Sequence, residues 1–190
     1  FLNDGRAAFP DESSLLFAEI NYYLGKGEMG ILVDKLKMAR KKEPNNVSIV
    51  TTEANVYDNL YQKEEESGDT PNIDTYFNLA KKTYEEALVM DPNDFIATYS
   101  LGALYYNKAA ARSKEVNELA DDYTNEGAKK YEAKKKEMEG FFDMALPYFE
   151  SAEKLNGLDK NTLIALKEIY ARKNMFEKSG LYKAKIEALK

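Results

Sequence analysis

The chain has 190 residues, of which 44% are hydrophobic and 32% charged, with a formal net charge of −6, no Cys and no His. That length buries a continuous core without staples, and the missing Cys and His exclude disulfides, thiol chemistry, imidazole bases, Ser/His/Asp and Cys/His nucleophiles and nearly every zinc or copper site. The acidic balance argues against nucleic acid as a partner, because sequence-independent affinity for phosphate backbones comes from clustered Lys and Arg, and no run of about 18 apolar residues is present to insert into a membrane.

Residues 1–10 read as the end of an upstream helix, with Leu2 on its apolar face and Pro10 closing it. With Phe1 in place of Met, that reading expects a chain cut from a longer array. Residues 13–46 predict two helices joined at Gly25-Lys26-Gly27-Glu28-Met29-Gly30. The string has the letters of a dinucleotide fingerprint. It follows an amphipathic helix rather than a strand, however, so its glycines are read as a tight turn and no cofactor is expected. Residues 47–94 predict a second pair. Asn46-Val47-Ser48 has the glycosylation pattern but lies in the turn before it, where such tripeptides are common by chance. Within this pair an insertion near 62–75 reads as a helix overrun followed by a polar loop. Glu64, Glu65 and Glu66 are adjacent on that helix and point in different directions, so they are read as a solvated face and no metal site is expected.

Residues 95–159 form the third unit and hold a longer insertion at 109–140. Its first half is acidic, with Glu115, Glu118, Asp121, Asp122 and Glu126, and its second half basic, with Lys129, Lys130, Lys134, Lys135 and Lys136. A turn at Tyr123–Gly127 would fold the halves into an antiparallel hairpin with opposite charges facing, each pair contributing about a few tenths of a kcal/mol. Val116, Leu119 and Tyr123 going out, and Tyr131, Met138, Phe142 and Ala145 returning, follow helical spacing. Pro147 deletes a helical hydrogen bond and predicts a bend in the returning helix. Residues 160–190 make the last pair.

Two regularities tie these segments together. Pro10, Pro44, Pro92 and Gly157 are each followed thirteen residues later by a tyrosine, Tyr23, Tyr57, Tyr105 and Tyr170, and the first two prolines lie 34 residues apart. Before three of these boundaries small and large apolar residues recur at spacings of four and three: Leu32, Leu36 and Ala39; Ala80, Tyr84 and Ala87; Ala145, Phe149 and Ala152. Those spacings place each triplet on one helix face, the seam with its partner helix.

In these triplets and in the closing prolines the chain resembles the tetratricopeptide repeat family, whose period is about 34 residues. The best match is the third unit, with Leu101, Gly102 and Tyr105 in its first helix. Glu19 and Glu53 stand where the family has Leu, and are read as partly exposed or paired with Lys or Arg rather than as catalytic carboxylates. The resemblance implies an all-α, right-handed solenoid of helix-turn-helix repeats, with a long helical hairpin in the third. It also implies a non-enzymatic scaffold whose first helices line a concave surface for a peptide or partner helix. By position that surface displays Phe17, Asn21 and Leu24, then Thr51, Asn55 and Asp58, then Tyr99, Ala103, Tyr106 and Asn107, and finally Ile164, Glu168 and Arg172. Asn amides there can donate to and accept from a peptide backbone, and the aromatics offer rigid contact area. A carboxylate clamp is not expected, since Arg172 is the only basic residue in the set. Resemblance to extended-helix bacterial repeat proteins favours the cell envelope as location. A glycan-binding protein with a tyrosine-rich groove is the alternative, and self-association through the projecting hairpin a further possibility.

Overall fold

Short polar residues open four of the helices, and left-handed glycines close two. The computed structural model of the chain describes residues 5, 8, 9, 12–68 and 70–189, and within these it holds eight α-helices. They are α1 (Ser13–Lys26), α2 (Met29–Lys42), α3 (Val47–Ser67), α4 (Thr70–Met90), α5 (Phe95–Leu119), α6 (Asn125–Leu155), α7 (Lys160–Arg172) and α8 (Phe176–Glu187). Leu2 and Pro10 lie outside the described residues. Asn46, Asp94, Thr124 and Asp159 cap α3, α5, α6 and α7, each side chain accepting an otherwise orphaned amide N–H of the first turn. Gly27, at φ 70°, closes α1 with its N–H directed to Leu24 and Tyr23 carbonyls, so the glycine-rich string is a helix-to-helix turn. Asn174, at φ 57°, has the same backbone conformation between α7 and α8.

The chain divides into two compact units, residues 1–92 and 93–190. In the first, α1 pairs with α2, α2 packs on α3, and α3 pairs with α4. In the second, α5 pairs with α6, and α7 packs on both α6 and α8. All nine residues of the three triplets are at most 1% exposed, so the seams lie where the spacing puts them. Gly102 of α5 lies close against α6: an added Cβ would stand 3.2 Å from the Cβ of Tyr148 and 3.4 Å from the Phe149 ring. No helix among the described residues is long and apolar enough to cross a membrane.

Both insertions take the form of longer helices. The stretch 62–75 contains no extended polar loop: α3 runs to Ser67, Gly68 closes it at φ 71°, and α4 already begins at Thr70. Pro71 sits in the first turn of α4, where its missing N–H would have no helical partner anyway. The longer insertion is a helical hairpin, turning at Ala120–Thr124 rather than Tyr123–Gly127. The shift has a local cause. Asp122 accepts from the backbone and hydroxyl of Thr124, and Thr124 in turn accepts from Gly127 N–H, so that helix α6 starts three residues early. A side chain at 127 would collide with the Asp122 carboxyl. Tyr123 is 90% exposed at the tip instead of joining the apolar face, which Val116 and Phe142 do join. Lys134 pairs with Glu115 at 2.7 Å and Arg112 with Glu137 at 2.9 Å across the hairpin. Helix α6 continues through Pro147 without interruption.

The two acidic residues at apolar positions are buried and paired. Glu19 and Glu53 are each 3% exposed; Lys35 donates to Glu19 at 3.0 Å, and Arg40 donates to Glu53 at 2.7 Å. Arg40 also bonds Glu86 on α4, and Tyr57 donates to Glu53 at 3.2 Å, so one guanidinium ties α2 to both helices of the next pair. A second buried group lies nearby. Tyr84, fully buried on α4, donates to Asn55 at 2.7 Å and lies 3.3 Å from Asp58, which also accepts from Gln62. Burial pushes Asp58 above its ordinary value of 3.8, outweighing the hydrogen bonds from Gln62 and Tyr84.

Two stability predictions follow from these groups. Arg40→Ala strands the Glu53 carboxylate in the interior and should destabilise the chain by about 2–3 kcal/mol in urea unfolding, discounted from a fully buried pair because Arg40 is partly open to solvent. Arg40→Ala with Glu53→Gln should recover most of that loss, because the amide still accepts from Tyr57. For Asp58 the folded pKa is raised, so the fold favours the neutral acid. Stability from this group is present below pH 3.8 and is lost as pH rises through the folded value. Asp58→Asn should therefore stabilise the protein at pH 7, with the gain fading to nothing as unfolding is measured below about pH 4.

Candidate functional site

Residues on α5 recur at Tyr99, Ala103, Tyr106 and Asn107, a spacing that keeps them on one face, and α7 presents Asn161, Ile164, Ala165 and Glu168 likewise. The two faces enclose a cleft of about 270 Å³ floored by Phe149 of α6. Its position depends on the seam below. Phe149 is buried where Gly102 lets α5 approach α6, and Tyr99 and Tyr106 stand edge-on to its ring at centroid distances of 5.7 and 6.2 Å. Phe95 stacks on Tyr99 at 6.1 Å, and Phe142 meets Tyr106 edge-on at 5.3 Å. Five rings thus fix the wall at two χ angles apiece, which leaves little side-chain entropy to lose on binding.

The polar groups are held as firmly. The Tyr106 hydroxyl donates to Glu168 across the cleft, bridging α5 and α7. Burial, followed by that carboxylate, pushes the Tyr106 phenol up to about 12, so it stays a protonated donor through the physiological range. Tyr99 is raised too, by burial and then by Asp159. Arg172 lies one helical turn beyond Glu168, exposed, with its guanidinium 4.8 Å from the centroid of the Phe142 ring. Asn107 is half-buried and Asn161 exposed at the cleft edge. The arrangement offers apolar and aromatic area with amide donors and acceptors at its border.

Six residues expected at a binding surface, Tyr99, Ala103, Tyr106, Asn107, Ile164 and Glu168, line this one cleft, and Arg172 stands next to it. Those on the first unit are placed differently. Phe17 is half-buried against the core of α1 and α2, and Asn21 is exposed on α1. Thr51 and Asp58 are 4% and 7% exposed, and Asn55 receives the Tyr84 hydroxyl, so these three face the interior of the α3–α4 pair. The cause at Asn55 and Asp58 is Tyr84, the large residue of the α4 triplet, whose hydroxyl reaches across the seam to them. Asn161 and Ala165 are absent from the sequence reading, and Phe149 stands there only as a seam residue. Asn161 precedes Ile164 by three residues on the same stripe as Glu168, and extending that stripe one turn back would have found it.

No family model and no curated protein matches the chain in sequence. Solved structures do match. The chain is similar to a MamA structure (MSR-1 C2) with a TM-score of 0.60 at 15% identity, over 99% of this chain and 82% of that one. It is also similar to a TPR repeats protein, BF2334, from Bacteroides fragilis, with a TM-score of 0.53 at 21% identity, over 84% of this chain and 67% of that one. At these identities the likeness is one of fold, and with the seams and turns described above it makes the chain an all-α helical repeat of the tetratricopeptide kind.

Proposed function

We propose that the chain is a non-enzymatic interaction scaffold and that the cleft between α5 and α7 receives an extended peptide or a partner helix. The observation that carries this reading is the preorganised aromatic wall. Tyr99, Tyr106 and Phe149 are locked by ring packing, yet the cleft they form remains open between two helices, bordered by Asn107 and Asn161. Apolar anchors with a polar border are how helical repeats take up peptides. Sequence and fold agree with a scaffold, since the chain holds no His or Cys and its neighbours in fold include a TPR repeats protein. The glycan alternative has only Tyr99 and Tyr106 in the cleft to rest on, because Tyr57, Tyr61, Tyr84 and Tyr105 are buried in helix seams.

A displayed random-peptide library selected on the chain tests the proposal. Enriched peptides should carry an apolar or aromatic anchor, and their affinity should fall at least about tenfold for Tyr99→Ala with Tyr106→Ala, in protein whose circular dichroism is unchanged. Tyr106→Phe should keep most of the affinity, since the ring rather than the hydroxyl faces the ligand. Peptides that bind parent and double variant alike would place the binding surface elsewhere, and no enrichment at all would end the scaffold reading for this cleft.

A further inference from the structure

Two other features of residues 93–190 match one another. The first is a cavity of about 740 Å³ between the C-terminal end of α6 and α8. Tyr182, half-buried, stacks on the buried Tyr170 with centroids 5.6 Å apart and ring planes 8° from parallel, Lys185 lies over the Tyr182 ring at 5.0 Å, and Leu181, 64% exposed, stands beside them. Three exposed lysines, Lys154, Lys178 and Lys185, border the cavity. The two carboxylates inside are already engaged. Glu150 accepts from the Tyr170 hydroxyl, and Glu153 accepts from Tyr182 at 2.8 Å and from Lys185. Around them, residues 172–189 hold five basic and two acidic side chains. The cavity is therefore apolar and aromatic within a positive surround.

The second feature is the hairpin tip. Residues 117–126 hold four acidic side chains and no basic one, and every residue from Ala120 to Glu126 is exposed. Tyr123, at 90%, is more exposed than any other large hydrophobic side chain among the described residues. The turn presenting it is closed by hydrogen bonds among Asp122, Thr124 and Gly127. Glu126 is paired along its own helix with Lys130 at 2.8 Å, whereas Asp121 and Glu118 face solvent. An aromatic ring set among carboxylates is the chemical complement of an aromatic cavity set among lysines.

We infer that the tip of one copy docks in the α6–α8 cavity of a second copy, with Tyr123 against Leu181 and Tyr182 and Asp121 and Glu118 against Lys154 and Lys178. The contact cannot form within one molecule. From Asn125 to Glu150 helix α6 is continuous, and at 1.5 Å per residue it holds the tip about 37 Å from the cavity. Tip and cavity are different surfaces, so the contact is heterologous and each copy carries one half of two contacts. The residues differ from those of the peptide cleft, and either proposal can fail without the other.

Sedimentation velocity on the whole chain over a range of concentrations tests it, with two surface variants. The tip variant combines Tyr123→Ala with Asp121→Lys, and the cavity variant combines Lys154→Glu with Lys178→Glu; all four positions are exposed, so the fold should be kept. The parent should associate as concentration rises and dissociate as salt screens the lysines. Each variant alone should associate at least about tenfold more weakly. Mixed, the two should form a one-to-one pair and nothing larger, because the tip variant keeps its cavity and the cavity variant its tip. A parent of single-chain mass at every concentration, variants that associate as the parent does, or a mixture that stays monomeric would each overturn the inference.

Discussion

Where α5 crosses α6, Gly102 carries no Cβ, and the backbone comes close enough for the Phe149 ring to fit beneath Tyr99 and Tyr106. That close approach supports everything built above it. A methyl group at 102 would stand 3.2 Å from Tyr148, and α5 could escape only by lifting away from the ring that floors the cleft. The same device recurs in the other pairs, where Ala39, Ala80, Ala87, Ala145 and Ala152 are all at most 1% exposed. Small residues set the helix spacing, and the large residue between each pair of them fills the space that remains.

With no histidine available, the chain satisfies buried polar atoms by matching tyrosine hydroxyls to carboxylates. Tyr57 donates to Glu53, Tyr106 to Glu168, Tyr170 to Glu150 and Tyr182 to Glu153. Tyr57 is pushed up to about 12 by burial and by Glu53, as Tyr106 is by burial and Glu168, and burial with Glu150 and Glu153 raises Tyr170 and Tyr182 as well. The last three of these bonds join helices that the apolar seams alone would leave free to slide. Tyr106 ties α5 to α7, Tyr170 ties α7 to α6, and Tyr182 ties α8 to α6. The hydroxyl at the end of a rigid ring thereby sets register, a task that apolar packing performs poorly because one apolar contact resembles the next.

The helix pairs were legible in the sequence because they depend on volume at fixed spacing, which the chain states directly in Leu32, Leu36 and Ala39 and in the two later triplets. Capping was legible for the same reason, since Asn46 and Asp94 must stand beside the amides they accept from. What escaped depended on distant partners. Nothing near Asp58 in sequence announces Tyr84, 26 residues later, as the group that holds it inside. Tyr123 has the apolar spacing of its helix, and only the early start of α6 at Asn125 leaves it at the tip. The polar run after Ser67 looked like a loop on composition, but one left-handed Gly68 reverses the chain and lets Thr70 begin a helix. In the cleft, Tyr99, Tyr106 and Glu168 were legible as a stripe, while Phe149 was hidden by its role in the seam.

Helix α6 spans two regimes of stability along its roughly 46 Å. Its C-terminal half buries Phe142, Ala145, Phe149 and Ala152, whereas between Ala128 and Phe141 no side chain is fully buried. Opening free energy follows buried apolar contact, so the outer turns unfold locally at a fraction of the cost of unfolding the unit, and their amides exchange first. A boundary near Phe142 then separates two cooperative segments within one continuous helix. The hairpin tip can fray and re-form while the residues that floor the cleft stay in place.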